Sequence, residues 1–388
     1  MGTGKVALGS DLQRKQWMND GLLESASVSF WQPYTGRTSD SIVYQVNNES
    51  ASTGHTVVFD YSGKLTGKAI KGDNIAYGKG EIKRKFSDKI SVDEYTIPVD
   101  NGKKFDGVDI GDLTINEHSD SRNKLGDLFI RWKDQMIFDT LQGCLGENPS
   151  HIISLGTTFV YDDLIDIEDA AKTGKGMVAP LSSGVVGTTD ADRRGPLEFF
   201  KTENGDQLYL CIMDSYMAKT LKKSADYQTI VINADVRGNN NRSISMVLGR
   251  LGKVIYVEAG DFFGITDGTG AFNLEDSDID FAGLRKYKKV TADDSIIWEG
   301  QDTFDSATGT VYSRGLLLGG GAVQSAFGKM PDYLFQKSDN FGKTSQSAVE
   351  YWCNAKKTNL TVESGKDYGA AKVAELDYSV IAIDLAHV

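Results

Sequence analysis

The stretch His55–Gly143 constrains this chain more than any other. A β-patterned, turn-rich arm, HTVVFDYSGKLTGKAIKGDNIAYGKGEIKRKFSDKISVDEYTIPVDNGKKFDG, leads into a long helical pattern, SDSRNKLGDLFIRWKDQMIFDTLQG. The arm holds too little apolar surface to offset the entropy of ordering it alone. Such a segment becomes stable by lying on another surface, and copies of the same chain supply one.

Within the arm, 55–63 alternates as a strand and Gly63-Lys64 ends it. Lys71-Gly72-Asp73 and Tyr77-Gly78-Lys79-Gly80-Glu81 read as loops. Residues 82–97 read as one strand, with Ile82, Phe86, Ile90, Val92, Tyr95 and Ile97 spaced mostly by even steps. Asn101-Gly102 reads as a turn pair. The helix is predicted over about 119–143, capped by Ser119 or Asp120 and closed by Gly143. Leu125, Leu128, Phe129, Trp132, Met136 and Leu141 recur at steps of three and four and mark its core face. Arg122, Lys124, Asp127, Arg131, Lys133 and Asp134 are assigned to an outer face.

The arm is basic around Lys79, Lys83, Arg84, Lys85 and Lys89, whereas the whole chain carries a net charge of −12. A solvated charged face is the bland reading; the sharper one pairs these cations with acidic patches on a neighbouring copy. The overall acidity disfavours a surface that tracks nucleic-acid phosphates. It is compatible with a container that encloses nucleic acid without binding it. Ahead of the arm, Trp17, Phe30, Trp31 and Tyr34 favour a docking segment over a floppy terminus.

Further on, 207–233 reads strand, helix, strand, with Asp214 or Ser215 as the helix cap. Residues 244–263 return to strand, and 295–298 form a short strand inside the acidic, glycine-rich stretch 264–310. VYSRGLLLGGGAVQSAFG at 311–328 suits a tightly packed helix or a strand–helix corner. Alternating runs at 349–362 and 376–385 read as closing strands, while DDLIDIED near 162 reads as a polar patch. Sixteen tyrosines and 17 phenylalanines favour β-structure.

The chemical motifs fail one by one. Gly342-Lys343-Thr344 ends like a phosphate-binding loop, but Lys337 stands where its first glycine belongs. Gly268-Thr269-Gly270 lacks the third glycine of a dinucleotide turn. Asp276, Asp278 and Asp280 have calcium-loop spacing, but Phe281 takes the glycine position. His55, His118, His151 and His387 show no zinc or nucleophile-triad spacing. The acid pairs Asp162-Asp163 and Asp293-Asp294 are commonplace in polar loops. No catalytic residue, cofactor or metal is assigned. Cys144, Cys211 and Cys353 read as three buried thiols in a reducing cytoplasm. No apolar run has signal-peptide or membrane-span length.

The order of these blocks resembles a known family. TVVFDYSGKLTG, KGDNIAYG and GKGEIKRKF, then DKISVDEYTIPVDNG and DLFIRWKDQMIFDTLQG, then GLLLGGGAVQSAFG and SAVEYWCNAKKTNL, are similar to blocks of tailed-phage major capsid proteins. The fold implied is the α+β Hong Kong 97 type, and the group is that of podophage N-four. The resemblance covers most of 54–145 and 311–362. It implies an N-terminal arm over 1–53 and an extended β-hairpin loop over 54–115. A peripheral domain with the long helix as its spine follows at 116–200. An axial domain, with an insertion at 264–310, fills 201–325, and 326–388 returns to the peripheral domain. Implied partners are the chain itself, as hexamers and pentamers, a scaffolding protein, a portal, a decoration protein and enclosed double-stranded DNA, with no membrane. The implied place is the virion, assembled in the bacterial cytoplasm. Inter-subunit contacts are expected at Trp17, Phe30, Trp31, Lys79, Glu81, Lys83, Arg84 and Lys85. Two other classes stand beside this one: a β-rich decoration or tail binding protein, and a polysaccharide hydrolase with converging carboxylates.

Overall fold

The computed structural model describes residues 29–47, 56–62, 69–72, 74, 77–80, 85–103, 117–173, 197–202, 205–228, 247–259, 283–291, 295–301, 303–337, 344–359 and 377–387. A short 3-10 turn (Gln32–Tyr34) precedes β1 (Thr35–Gly36) and β2 (Val43–Asn47). Then come β3 (Thr56–Ser62), β4 (Lys85–Ser91), β5 (Asp93–Lys103) and helix α1 (Glu117–Gln142). The middle of the chain holds β6 (Ile152–Ser154), α2 (Tyr161–Thr173), β7 (Phe200–Lys201), β8 (Gln207–Met213) and α3 (Ser215–Lys223). After these follow β9 (Val247–Leu251), β10 (Val254–Glu258), β11 (Lys286–Val290) and β12 (Ile296–Trp298). The last strands are β13 (Gly309–Leu318), β14 (Val323–Lys337), β15 (Thr344–Lys357) and β16 (Val380–Ala386).

Two large sheets enclose α1. The five-stranded sheet runs β1-β2-β14-β15-β5, and the nine-stranded sheet is built on β12-β11-β13-β8-β10-β9 with β16, β6 and β7 attached. Period-2 alternation divides each sheet's residues between its faces. Tyr351 and Cys353 of β15 and Phe327 of β14 share one core with Leu210, Ile212, Leu316 and Leu318 of the other sheet. Phe129, Ile130, Ile137, Phe138 and Leu141 of α1 lie in that same core. On the far face of the nine-stranded sheet, Leu164, Ile167 and Ala171 of α2 and Met217 and Leu221 of α3 pack on Tyr209, Tyr256 and Ile383.

The enclosure of α1 corrects its sequence reading. The helix begins two residues ahead of Ser119 and is 26 residues long, about 39 Å at 1.5 Å per residue. Its C-terminal half is buried all round: Lys133, Asp134, Gln135, Asp139, Thr140 and Gln142 are all buried. A helix packed between two sheets has little outer face there, so all of these polar side chains but Lys133 find hydrogen-bond partners inside. Its end matches the expectation. Gly143 has φ +86, and the amides of Gly143, Cys144 and Leu145 all donate to the Asp139 carbonyl.

Other readings hold or shift for local reasons. Asp214 caps α3, its carboxylate accepting from the Met217 amide at 2.9 Å. The 82–97 run divides at Val92 into β4, which pairs with β3, and β5, which pairs with β15 in another sheet. Asn101-Gly102 lies within β5, not in a turn, where the β5–β15 register shifts between Thr344 and Gln346. A glycine inside a strand commonly marks such a bulge. The acidic patch at 162 is the start of α2, because Leu164, Ile167 and Ala171 recur at helical steps beneath the carboxylates.

The 311–328 segment is two strands joined by Gly319-Gly320-Gly321, not a helix. The small residues serve close backbone approach. The three glycine amides donate to Ser379, Glu198 and Ser41 carbonyls at 3.0, 2.9 and 2.7 Å as the chain crosses between sheets. A Cβ on Gly319 would sit 2.1 Å from the Glu198 carbonyl oxygen, which belongs to the backbone and has little room to yield. Gly319→Ala is therefore expected to destabilise the subunit by about 1–3 kcal/mol. Urea unfolding with an unshifted midpoint would refute that crossing geometry.

Candidate functional site

The β3–β4 hairpin, where the sequence leads us to expect contact residues, has two parts of opposite character. Its base is fixed to its own subunit. Val57, Phe59, Tyr61, Ile90 and Val92 alternate inward and pack with Tyr44, Val46, Ala326 and Trp352, on the face of the five-stranded sheet away from α1. Asp88, 6% exposed, adds an electrostatic staple. Its carboxylate accepts from the Lys356 ammonium at 2.7 Å and from the Asn359 amide at 3.2 Å. Tyr61 shares its hydroxyl with Thr358 at 3.3 Å and Gln324 at 3.1 Å, and burial pushes its pKa up to about 12.

Past the base, the described residues between β3 and β4 are all exposed. Gly72 and Gly78 take positive φ of +63 and +77, which lets the chain turn without a Cβ penalty. Tyr77 is 95% exposed and Ile70 38%, with Lys71 and Lys79 beside them. An aromatic ring held almost wholly in water gains free energy when a partner covers it.

The expected contact residues divide accordingly. Lys79 stands on the exposed tip, and Lys85 opens β4 opposite Ser62. Trp17, Glu81, Lys83 and Arg84 lie outside the described residues. Trp31 is fully buried in its own subunit, its ring 4.8 Å from Phe138 and 5.2 Å from Phe30. Phe30 is half-buried beside it, and its amide donates to Asp134 at 2.7 Å. These two aromatics anchor the N-terminal side of the described chain to α1, and β1 and β2 continue it into the five-stranded sheet. Sequence reasoning passed over Asp88 and Tyr61 because their roles depend on Lys356, Asn359, Thr358 and Gln324, more than 250 positions away.

A second network ties the end of α1 to the nine-stranded sheet. Asp139 accepts from Arg285 at 2.7 and 3.2 Å, and Asp384 accepts from Arg314 at 2.8 and 2.9 Å. Gln142 joins the two pairs: its amide group donates to both arginine carbonyls and its oxygen accepts from the Arg285 amide. Tyr287 donates to Asp384 at 2.9 Å, and the Arg314 guanidinium lies 4.6 Å from the Tyr287 ring centroid. Two acids thus balance two arginines at fully buried positions, an arrangement suited to fixing geometry.

The structure does gather a serine, a histidine and an aspartate, but in an order unsuited to nucleophilic attack. Ser313 donates its one hydroxyl proton to Asp214, so His387 Nε2, 2.7 Å away, must donate to Ser313. A catalytic histidine accepts the serine proton instead. Burial, reinforced by the Lys286 charge, pulls His387 down to about 4. Between its ordinary value near 6.5 and about 4, the unfolded chain binds a proton that the folded chain refuses. Stability from neutral His387 is thus full above pH 6.5 and declines as pH falls through that window. The melting temperature of His387→Gln is expected to fall less steeply from pH 7 to 4 than that of the native chain.

The cysteines are Cys211 and Cys353, both buried, and Cys144, which is half-buried. Burial raises all three, Cys144 and Cys353 to about 12, so they stay protonated thiols. Among the described residues no group of three or more His, Cys, Asp or Glu side chains is placed to hold a metal ion. The calcium-like triplet, Asp293-Asp294 and Lys343 lie outside the described residues. No described helix is long and apolar enough to cross a membrane.

Residues 5–169 match the family model of phage capsid proteins. No curated protein matches the chain. Among solved structures, the capsid chain of Helicobacter pylori bacteriophage KHP30 is similar at TM-score 0.63 and 16% identity, over 92% of this chain and 91% of that one. A chain from the head of Helicobacter pylori bacteriophage KHP40 gives 0.64 at 15% identity, over 100% and 95%. The capsid of Ralstonia phage GP4 gives 0.60 at 16% identity, over 93% and 91%. This chain has the fold of those capsid chains along nearly its whole length.

Proposed function

We propose that this chain is a major capsid protein, a structural subunit that assembles with copies of itself into the icosahedral head of a tailed phage. The observation that carries this reading is the fold shared over at least nine-tenths of the chain with capsid chains of three phages. The capsid-family match over 5–169 supports it from the sequence alone. The finer reading places the chain in the Hong Kong 97 type, in the group of podophage N-four, as hexamers and pentamers around double-stranded DNA. Scaffolding, portal and decoration proteins are the proposed partners, and assembly in the bacterial cytoplasm the proposed route.

Physical features agree with a shell subunit. The hairpin tip extends past its docked base and exposes Tyr77, while the base and α1 are fixed by packing and by buried ion pairs. A rigid body with one projecting segment suits heterologous contacts that close into rings. Each such contact needs little affinity, because many act together at high local concentration. In the proposed division, α1, α2, β15 and β16 fall in the peripheral part (116–200 and 326–388), and β8, α3 and β9 to β13 in the axial part (201–325).

Assembly is the test. The chain, expressed with a scaffolding partner, is expected to sediment as large particles and to appear as closed shells by electron microscopy. Persistent monomers that degrade glycans would point to the hydrolase reading, and monomers that bind preformed heads to a decoration protein.

A further inference from the structure

The geometry points to a pocket that receives a carboxylate from a second copy of this chain, with Lys133 as its cation. The inference rests on the shell-forming reading and adds a contact to it. A cavity of about 300 Å³ opens between α1, β1 and the neighbouring part of β14. Lys133 lines it and is 6% exposed. Among the described residues its ammonium makes no hydrogen bond or ion pair; it lies 5.7 Å over the Phe327 ring and feels the charge of the adjacent Asp134. The adjacent carboxylate, Asp134, is already engaged by the Ser29 hydroxyl at 2.8 Å and the Phe30 amide at 2.7 Å. Every other buried cation described here has an anionic partner: Arg285 has Asp139, Arg314 has Asp384 and Lys357 has Asp377.

A buried ammonium with no hydrogen-bonded anion, and only the Asp134 charge nearby to offset part of its burial, is costly in a free subunit. Burial accordingly lowers the Lys133 pKa below the usual lysine value. The fold tolerates this at a site that opens outward, where a visiting anion completes the pair. The remaining lining matches an acidic side chain. Arg37 stands exposed at the rim with the amides of Gln45 and Asn47, while Phe129 and Phe327 give apolar walls for the stem. A single sunken lysine between aromatic rings does not suit a phosphodiester strand, which needs an open track of cations. A copy of this chain is the closer match: it carries 54 Asp and Glu against 42 Lys and Arg, so carboxylates are its most abundant charged groups.

The test uses two measurements on the full chain. First, particles are assembled from an equal mixture of unlabelled and nitrogen-15-labelled subunits and treated with a water-soluble carbodiimide. The reagent activates a carboxylate, the Lys133 amine displaces it as a urea, and an amide forms. A mixed-isotope product joining Lys133 to an Asp- or Glu-containing peptide is expected in particles and not in free subunits. Second, Lys133→Met is expected to raise the concentration needed for assembly about ten-fold or more. The free variant should melt within a few degrees of the native subunit, since methionine keeps the stem and Asp134 keeps its Ser29 and Phe30 donors.

Products of a single isotope only would place the acid on the same chain and overturn the inference. So would the absence of any Lys133 product from particles. Native assembly with unchanged Lys133→Met assembly removes this contact and leaves the shell reading standing. A native chain that never assembles removes both.

Discussion

Replacing Arg314 with methionine is expected to destabilise the subunit by about 3–5 kcal/mol, because it leaves Asp384 charged, buried and without its main partner. Arg314 is fully buried and Asp384 is 3% exposed, so water cannot replace the lost pair. Asp384→Asn should lose a similar amount, from the other side of the same bond pair. The double replacement Arg314→Met with Asp384→Leu should recover a large part of the loss, since an apolar pair strands no charge. The two carbonyl and amide contacts that Arg314 makes with Gln142 and Asn148 remain unmet in the double variant, so full recovery is not expected. Urea unfolding of the four proteins gives the coupling directly. A single-variant loss under about 1 kcal/mol would mean that solvent reaches this network, contrary to its burial.

Removing the hairpin tip is expected to abolish assembly while leaving the subunit folded. Deleting 73–85 takes away Tyr77 and Lys79 and the first residue of β4, but leaves Phe59, Tyr61, Asp88 and Ile90 on their sheet. Free-subunit melting should therefore change by only a few degrees. Asp88→Ala makes the complementary cut: the tip stays, and the staple to Lys356 and Asn359 is lost. Breaking a buried carboxylate with charged and backbone partners should cost the free subunit about 1.5–3 kcal/mol. If the tip deletion assembles normally, with particles as heat-stable as the native ones, the tip is not an inter-subunit clamp. If Asp88→Ala leaves subunit stability unchanged, the hairpin base is not anchored by charge.

The sequence of this chain determined the features that rest on neighbours in the chain. Period-2 alternation marked β3 and β15, glycine at 143 ended α1, and Asp214 capped α3. Order and spacing of the blocks also point to a capsid subunit. These signals survive because a strand's alternation, a cap or a turn is set within a few residues.

The tertiary structure decided which side of each element is covered, and by what. Lys133 and Asp134 lay on the polar stripe of an amphipathic helix, yet both are buried, Lys133 beside Phe327 of the five-stranded sheet and Asp134 under Ser29 and Phe30. Gly319-Gly320-Gly321 had the small-residue look of a packed helix, and only the carbonyls of Glu198, Ser379 and Ser41 make it a crossing between sheets. The 82–97 run is one strand by pattern and two by partner, since β-pairing is chosen by surfaces far away in sequence. The opening arm shows the same division. Its poverty in apolar residues said that it must lie on something. The structure separates a base that lies on its own subunit, through Phe59, Tyr61 and Asp88, from a tip that still exposes Tyr77. A chain's own pattern records how much surface must be covered; the covering partner is fixed only by the fold, or by the next copy.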